Sequence, residues 1–458
     1  MYFLLGNLLS KFLGKSIKNY ILLFLSLFFY AWPGIKFIPL LMISVFINYL
    51  CGIVIDTFKN KSALSQGALL IGVFFNLLIL FYYKYYNFST SIINNIFSTN
   101  ISLKDIALPL GISFITFQGI SYIVDIYRGD AVSNKNPLDV ALYIAFFPKV
   151  VSGPIIKYKD FGSQIKNRTE SLSQFSYGIE RIVIGLSKKV IISDILGGIA
   201  DNIFTLSKTG IDTPTAWIGI ICYTFQIYFD FSGYSDTAIG LANMFGFSFM
   251  ENFNYPYISK SITEFWRRWH IALSTWFKEY LYIPLGGNRK GKFRTYANLL
   301  IVFFSTGIWH GASLNYIVWG LWHGIFITIE RMIMKKDWYI KIPNFIKIIF
   351  TLFIVMIGWV FFRADGLRDA LNYISIMFGL KSFDFVTFNY RYLLNFKLIA
   401  WIAFGAIFST PFIYDKFKKY ENNISFEFTQ TIILGILFIV SIIFIVNSTY
   451  SPFIYFQF

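Results

Sequence analysis

The chain has 458 residues, of which 56% are hydrophobic and 21% aromatic, with mean hydropathy +0.58. Only 14% are charged, against about 25% in soluble domains, which excludes a soluble enzyme and leaves an all-α polytopic membrane protein. The net charge of +16 reads as Lys and Arg gathered in cytosolic loops beside membrane lipid; the aromatics lie in apolar runs rather than on a basic face, so no nucleic-acid partner is expected.

The apolar start, Met1–Ser10, is followed by Lys11, Lys15 and Lys18 without a small-residue cleavage site, and is expected to stay in the membrane. Spanning runs follow at Lys36–Ile55 and Gly67–Tyr83. At Phe146-Phe147-Pro148-Lys149-Val150-Val151-Ser152-Gly153-Pro154, two prolines and a glycine interrupt helix. A re-entrant turn or helix junction is predicted there, shielded from lipid by protein. The run Thr215–Gly246 carries Gln226, Tyr228, Asp230, Ser232 and Asp236, too polar a set to face hydrocarbon, and predicts an internal cavity.

Ser261 and Glu264 form a capping box that opens a helix, and Pro284 and Gly286 stop it. Phe265, Trp269, Ala272, Trp276 and Tyr280 make one face; Glu264, Arg267, Arg268, Ser274 and Lys278 make the other. That pattern predicts an interfacial amphipathic helix with His270 on the boundary between the faces. The following Gly286-Gly287-Asn288-Arg289-Lys290-Gly291-Lys292 has P-loop spacing, but Phe293 stands where a metal-holding Ser or Thr is needed. What remains is a basic loop of Arg289, Lys290, Lys292 and Arg294, either an orientation signal or a grip for phosphates. The apolar run Asn298–Trp309 continues to Ile329, and Phe345–Phe362 and Thr429–Val446 complete the pattern. Roughly ten to twelve embedded segments are expected, some too short or polar to cross fully. No polar stretch is long enough to bury a core of its own, so residues 1–458 read as one integral membrane domain.

Cys51 and Cys222 both lie in apolar runs and form no disulfide framework. The three histidines, His270, His310 and His323, are spaced 40 and 13 apart, which matches no zinc or iron–sulfur pattern; no metal site is expected. His310 and His323 repeat the tripeptide Trp-His-Gly inside apolar sequence, where a titratable side chain is costly and points to function. In one unbroken helix they would stand ~20 Å and ~140° apart. Either residues 311–315 break that helix, or only one of the two does chemistry.

These motifs resemble the membrane-bound O-acyltransferase family, closest to its bacterial branch that acetylates polysaccharides outside the cytoplasm. The matching stretches are Phe28-Phe29-Tyr30-Ala31-Trp32, Gly111–Gln118 with Tyr122–Arg128, Phe147-Pro148-Lys149 with Ser152–Ile155, and Phe229–Asp236. Further on come Asn252–Pro256, Glu264–His270 with Leu273–Trp276, Tyr282–Arg289, Gly307–Gly311 and Trp319–Gly324. The core of the likeness is about Gly111–Arg331. The resemblance implies a ring of tilted transmembrane and re-entrant helices around a central tunnel, in a multi-pass protein of the bacterial cytoplasmic membrane. It implies no permanently bound cofactor. The acyl group would come from a cytosolic thioester, most simply acetyl-CoA, and pass to a hydroxyl of a cell-envelope polysaccharide or to an extracytoplasmic esterase-like partner protein. The family's characteristic histidine matches His310.

The residues support such chemistry on their own terms. A neutral imidazole can take the hydroxyl proton, with His310 as general base and His323 and His270 orienting or assisting. Gln226, Tyr228, Ser232 and His270 are candidate donors to a developing oxyanion. Asp230 holds a histidine or shapes the passage. Arg289, Lys290, Lys292, Arg294, Arg267 and Arg268 could hold coenzyme phosphates. Competing readings are D-alanyl transfer towards teichoic acid within the family, a transporter or flippase, and a scaffold without turnover.

Overall fold

The computed structural model describes residues 2–3, 6, 14, 16–59, 63–383, 389–420 and 423–448. Most of the apolar start Met1–Ser10, with Lys11 and Lys15, lies outside the described residues. The described chain is helical, with no β-strand. Among the described residues, four helices are long and apolar enough to cross a bilayer, and a fifth span forms if Phe396–Phe408 and Phe412–Lys418, bent by 55°, act together. The other expected segments are shorter, broken or more polar. The chain divides into two compact units, Met1–Gly178 with Ala238–Met250 and Ile179–Thr237 with Glu251–Phe458.

In the first unit, α1 (Ser16–Ala31), α2 (Ile38–Thr57), α3 (Ala63–Leu80) and α4 (Ile112–Arg128) are followed by α5 (Pro137–Ala145) and α6 (Tyr158–Asn167). α2 and α3 are locked by a reciprocal amide pair between buried Asn48 and Asn76, with N···O distances of 2.8 and 3.2 Å. Such pairs hold helices together where lipid offers no hydrophobic drive. The predicted junction after Phe146 is present: a four-residue helix, Phe147–Val150, leads into irregular backbone buried from Val151 to Lys157. Tyr143 donates to the Ile156 carbonyl at 3.0 Å. Lys149 is fully buried, its Nζ 3.9 Å from the Tyr143 ring centre and 4.7 Å from that of Phe161.

The second unit contains α7 (Asp194–Leu206), residues 213–237 of α8 (Thr213–Met244), α9 (Ile262–Arg268), α10 (Ile271–Phe277), α11 (Gly291–His310), α12 (Leu314–Ile333), α13 (Asn344–Arg363), α14 (Leu367–Met377) and α15 (Ile424–Asn447). A wide-turn segment, Lys188–Ser193, precedes α7. Aromatic and β-branched side chains of α7, α8, α9, α12 and α13 make a continuous core around Trp319 and Trp359, both 1% exposed. α15 is the opposite case: only 6% of its apolar stretch is buried, which leaves a hydrocarbon-like surface suited to lipid.

One predicted element is corrected. Residues 261–284 are not a continuous amphipathic helix at the membrane interface. The capping box is there, Ser261 Oγ accepting from Glu264 N at 3.0 Å, but the helix ends after seven residues, and His270 takes a left-handed backbone (φ 42°) before α10 begins. Phe265, Trp269 and Ala272 are buried in protein, not in the headgroup layer. Glu330 of α12 explains the anchoring: its Oε2 accepts from Ile262 N at 2.6 Å and Thr263 N at 3.3 Å, tying the start of α9 to the helix that carries His323.

Candidate active site

All three histidines fall in the second unit, and each is buried: His270 at 0%, His310 at 3% and His323 at 0% exposure. The helix break left open by the sequence exists. α11 ends on His310, Gly311 is extended, and α12 restarts at Leu314. Asn315 holds the break, donating to the carbonyls of Phe361 at 3.1 Å and Ala364 at 2.9 Å at the end of α13. The two helices then fold back against each other at very short range. A Cβ on Gly307 would stand 2.4 Å from the Tyr316 carbonyl oxygen, and one on Gly320 would stand 2.2 Å from that of Phe303. Only residues without side chains allow that approach.

This hairpin brings the two Trp-His-Gly histidines onto one indole. The His310 ring lies 4.8 Å from the Trp319 ring and the His323 ring 5.4 Å from it, both edge-on. The imidazole centres are therefore at most about 10 Å apart, half the separation of an unbroken helix. His310 is further walled by Trp309 at 4.8 Å and Phe362 at 5.1 Å. His323 sits among Phe265, Trp266, Trp319 and Trp359. Neither of its ring nitrogens, nor the indole N–H of Trp266 or Trp319, makes a hydrogen bond among the described residues.

His270 reaches the same core by another route, its ring 4.7 Å from Phe231 of α8 and 6.4 Å from Trp309. Its Nδ1 is 3.1 Å from Asn252 Oδ1. Asn252 belongs to the Asn252–Pro256 motif, and nothing in the linear pattern shows that it meets a histidine 18 positions on.

The polar set of α8 divides. Tyr228 joins the aromatic core, 5.3 Å from Tyr257 and 6.3 Å from Trp269. Ser232 is 2% exposed and its hydroxyl makes no hydrogen bond among the described residues. Gln226 packs its side-chain amide against Gly197 of α7, and its backbone carbonyl accepts from Ser193 Oγ at 3.0 Å. Asp230, expected to hold a histidine or to shape the passage, meets a lysine. It is ion-paired with Lys189 at 2.9 Å, and Lys189 also reaches Asp194 at 2.6 Å. Asp236 is held by Arg181 and by Lys188 at 2.6 Å, and Arg181 also binds Glu251 at 2.8 Å. The carboxylates expected to line a cavity are thus neutralised by cations from residues 181–189, which the sequence reading did not connect to them.

Of the six candidate phosphate contacts, Arg268 is engaged, by Glu264 at 2.9 Å and the Asn254 carbonyl at 3.0 Å. Arg267, Arg289, Lys290, Lys292 and Arg294 are exposed and form no ion pair among the described residues. No group of three or more His, Cys, Asp or Glu among the described residues is placed to hold a metal ion.

Against known proteins, residues 79–364 match the model of the MBOAT, membrane-bound O-acyltransferase family. A probable alginate O-acetylase, AlgI, of Pseudomonas putida is 41% identical over 97% of this chain and 95% of its own length. The peptidoglycan O-acetyltransferase of Helicobacter pylori is 36% identical over 78% of this chain and 73% of its own. The teichoic acid D-alanyltransferase of Bacillus subtilis is 33% identical over 50% of this chain and 61% of its own.

Proposed function

This chain belongs to the membrane-bound O-acyltransferase family, and we propose on that premise that it transfers an acyl group, most simply acetyl, from a cytosolic thioester to a hydroxyl of a cell-envelope polysaccharide. The likeness to relatives named for alginate and peptidoglycan O-acetylation supports the acceptor class. An esterase-like protein outside the cytoplasm, taking the acyl group before the glycan does, is part of the same proposal. So is a passage through the protein that joins the thioester side to the acceptor side. The observation that carries the reading is the α11–α12 break, which sets His310 and His323 on one buried indole.

The chemistry uses the chain's own side chains. His310 takes the proton of the acceptor hydroxyl as that oxygen attacks the thioester carbonyl. The indole N–H groups of Trp266 and Trp319, with Ser232 and Tyr228, are the donors available to the oxyanion. When the carbon–sulfur bond breaks, the proton on His310 passes to the leaving thiolate, so the imidazole is restored. The exposed cations Arg289, Lys290, Lys292 and Arg294, with Arg267, hold the phosphates of the donor by charge.

The decisive experiment incubates the detergent-solubilised protein with labelled acetyl-CoA. Thioester cleavage and label transfer are expected, and His310→Ala is expected to abolish both while expression and thermal unfolding stay near wild type. A transporter or a scaffold would leave the thioester intact. Transfer retained in His310→Ala would remove His310 from the mechanism.

A further inference from the structure

The stretch Asn252-Phe253-Asn254 has no task in the scheme above, yet it braces the break that carries His270. Asn254 N donates to the Arg268 carbonyl, and Ile271 N donates to the Asn252 carbonyl, both at 2.9 Å. These bonds hold His270 in its left-handed backbone, a conformation costly for a residue with a side chain. The Asn252 side chain does more. Its Oδ1 accepts from Ala272 N at 3.1 Å, its Nδ2 lies 3.0 Å from Ser235 Oγ, and His270 Nδ1 is 3.1 Å from the same Oδ1.

A backbone N–H can only donate, so the Ala272 bond fixes which end of the Asn252 amide is oxygen. An amide oxygen can only accept, so the hydrogen between Asn252 and His270 belongs to imidazole Nδ1. A neutral imidazole has one N–H, and its lone pair therefore sits on Nε2.

We propose that Asn252 is a positioning residue: it locks His270 in the Nδ1–H tautomer, so that the Nε2 edge of this imidazole accepts a proton or hydrogen bond and donates none. That removes His270 from the oxyanion donors and makes it an acceptor for the incoming hydroxyl or for a protonated neighbour. An amide suits this task better than a carboxylate. It orients the ring equally well but adds no charge that would favour imidazolium. The use made of Nε2 rests on the acyl-transfer reading; the tautomer does not.

The chain has three histidines, so a sample carrying nitrogen-15 only in histidine gives a tractable magnetic-resonance spectrum. The His270 signals are those missing from His270→Gln. At neutral pH, wild type is expected to show a protonated, pyrrole-type Nδ1 and an unprotonated, pyridine-type Nε2 at His270. Asn252→Leu, close in size but without an acceptor, is expected to lose that fixed pattern and to lower acetyl-CoA turnover by about 10- to 100-fold, the range for loss of an orienting partner. Its KM for acetyl-CoA should stay near wild type. Asn252→Asp keeps an acceptor oxygen and adds charge, so both His270 nitrogens are expected to become pyrrole-type. An Nε2–H tautomer or an imidazolium in wild type, or an unchanged spectrum in Asn252→Leu, would overturn the proposal. If Asn252→Leu does not fold, the wild-type and Asn252→Asp spectra decide it. The spectra need no substrate: a wild type with the expected tautomer but no thioester cleavage would sink acyl transfer and leave the role of Asn252 standing.

Discussion

Gly358 of α13 lies directly against the His323 imidazole, proposed above to assist His310: a Cβ there would stand 2.8 Å from His323 Nε2. Gly358→Ala gains helix propensity, worth about 1 kcal/mol, and should not unfold the protein. It must nevertheless displace the ring, and ångström-scale misplacement costs on the order of 10²-fold in rate. The expected outcome is a large fall in kcat for acetyl-CoA turnover with thermal unfolding unchanged or slightly raised, read by parallel kinetic and melting measurements. The Lys189 site behaves in the opposite way. Asp230 is 1% exposed, and Lys189 is its ion-pair partner. Lys189→Met leaves Asp230 and Asp194 without their cation, which costs about 3–5 kcal/mol for a buried pair. Adding Asp230→Asn and Asp194→Asn is expected to recover part of that loss in a denaturation midpoint, because the orphaned charges disappear. The sequence showed that Asp230 could not face lipid. It could not show the partner, because Lys189 is 41 positions earlier and the wide turn at Lys188–Ser193 that aims it leaves no periodic trace.

The α11–α12 hairpin is the element on which the site depends. Gly307→Ala and Gly320→Ala each drive a methyl group into a backbone carbonyl oxygen, at 2.4 and 2.2 Å, and backbone cannot turn aside as a side chain can. Each is expected to lower stability by about 1–3 kcal/mol, the usual cost of overpacking, and to impair turnover as His310 and His323 separate. Melting in detergent tests the first effect and acetyl-CoA cleavage the second. These elements also show where sequence reading succeeds and where it stops. The Pro and Gly content of residues 146–154 announced a junction, because those residues cannot propagate helix cheaply, and a break at residues 311–315 was one of two alternatives the spacing of His310 and His323 left open. The run after Ser261 misled because its 3.6-residue periodicity is genuine on both sides of His270. The interruption there is imposed by Asn252 and Glu330, distant in sequence, and tertiary hydrogen bonds override local pattern.

At the scale of the whole molecule, the charge excess includes one compact exposed cluster proposed above to hold the donor's phosphates. The loop from Arg289 to Arg294 offers four exposed cations on a glycine-rich backbone. Replacing all four with alanine is expected to raise the KM for acetyl-CoA by about tenfold or more, with kcat little changed, since phosphate contacts remote from the reacting carbon contribute binding alike in ground and transition states. The wild-type KM should rise with ionic strength and that of the variant should respond less. Composition made the membrane class plain from the first lines of the sequence, because a chain this apolar has no soluble alternative. The number of crossing helices was less legible, since several embedded segments are short, bent or carry ion pairs that lower their hydropathy.

α15 touches the protein sparingly; one such contact is Ser441 Oγ, 3.1 Å from Ser187 Oγ near the wide turn that presents Lys189. Its remaining surface is apolar and unburied, the kind that acyl chains cover in a bilayer. The bilayer is therefore part of this enzyme's structure: thinning it tilts or loosens α15, and the disturbance arrives beside the Lys189–Asp230 pair. Catalytic rate in vesicles should track the length of the lipid tails, with an optimum that a micelle does not reproduce.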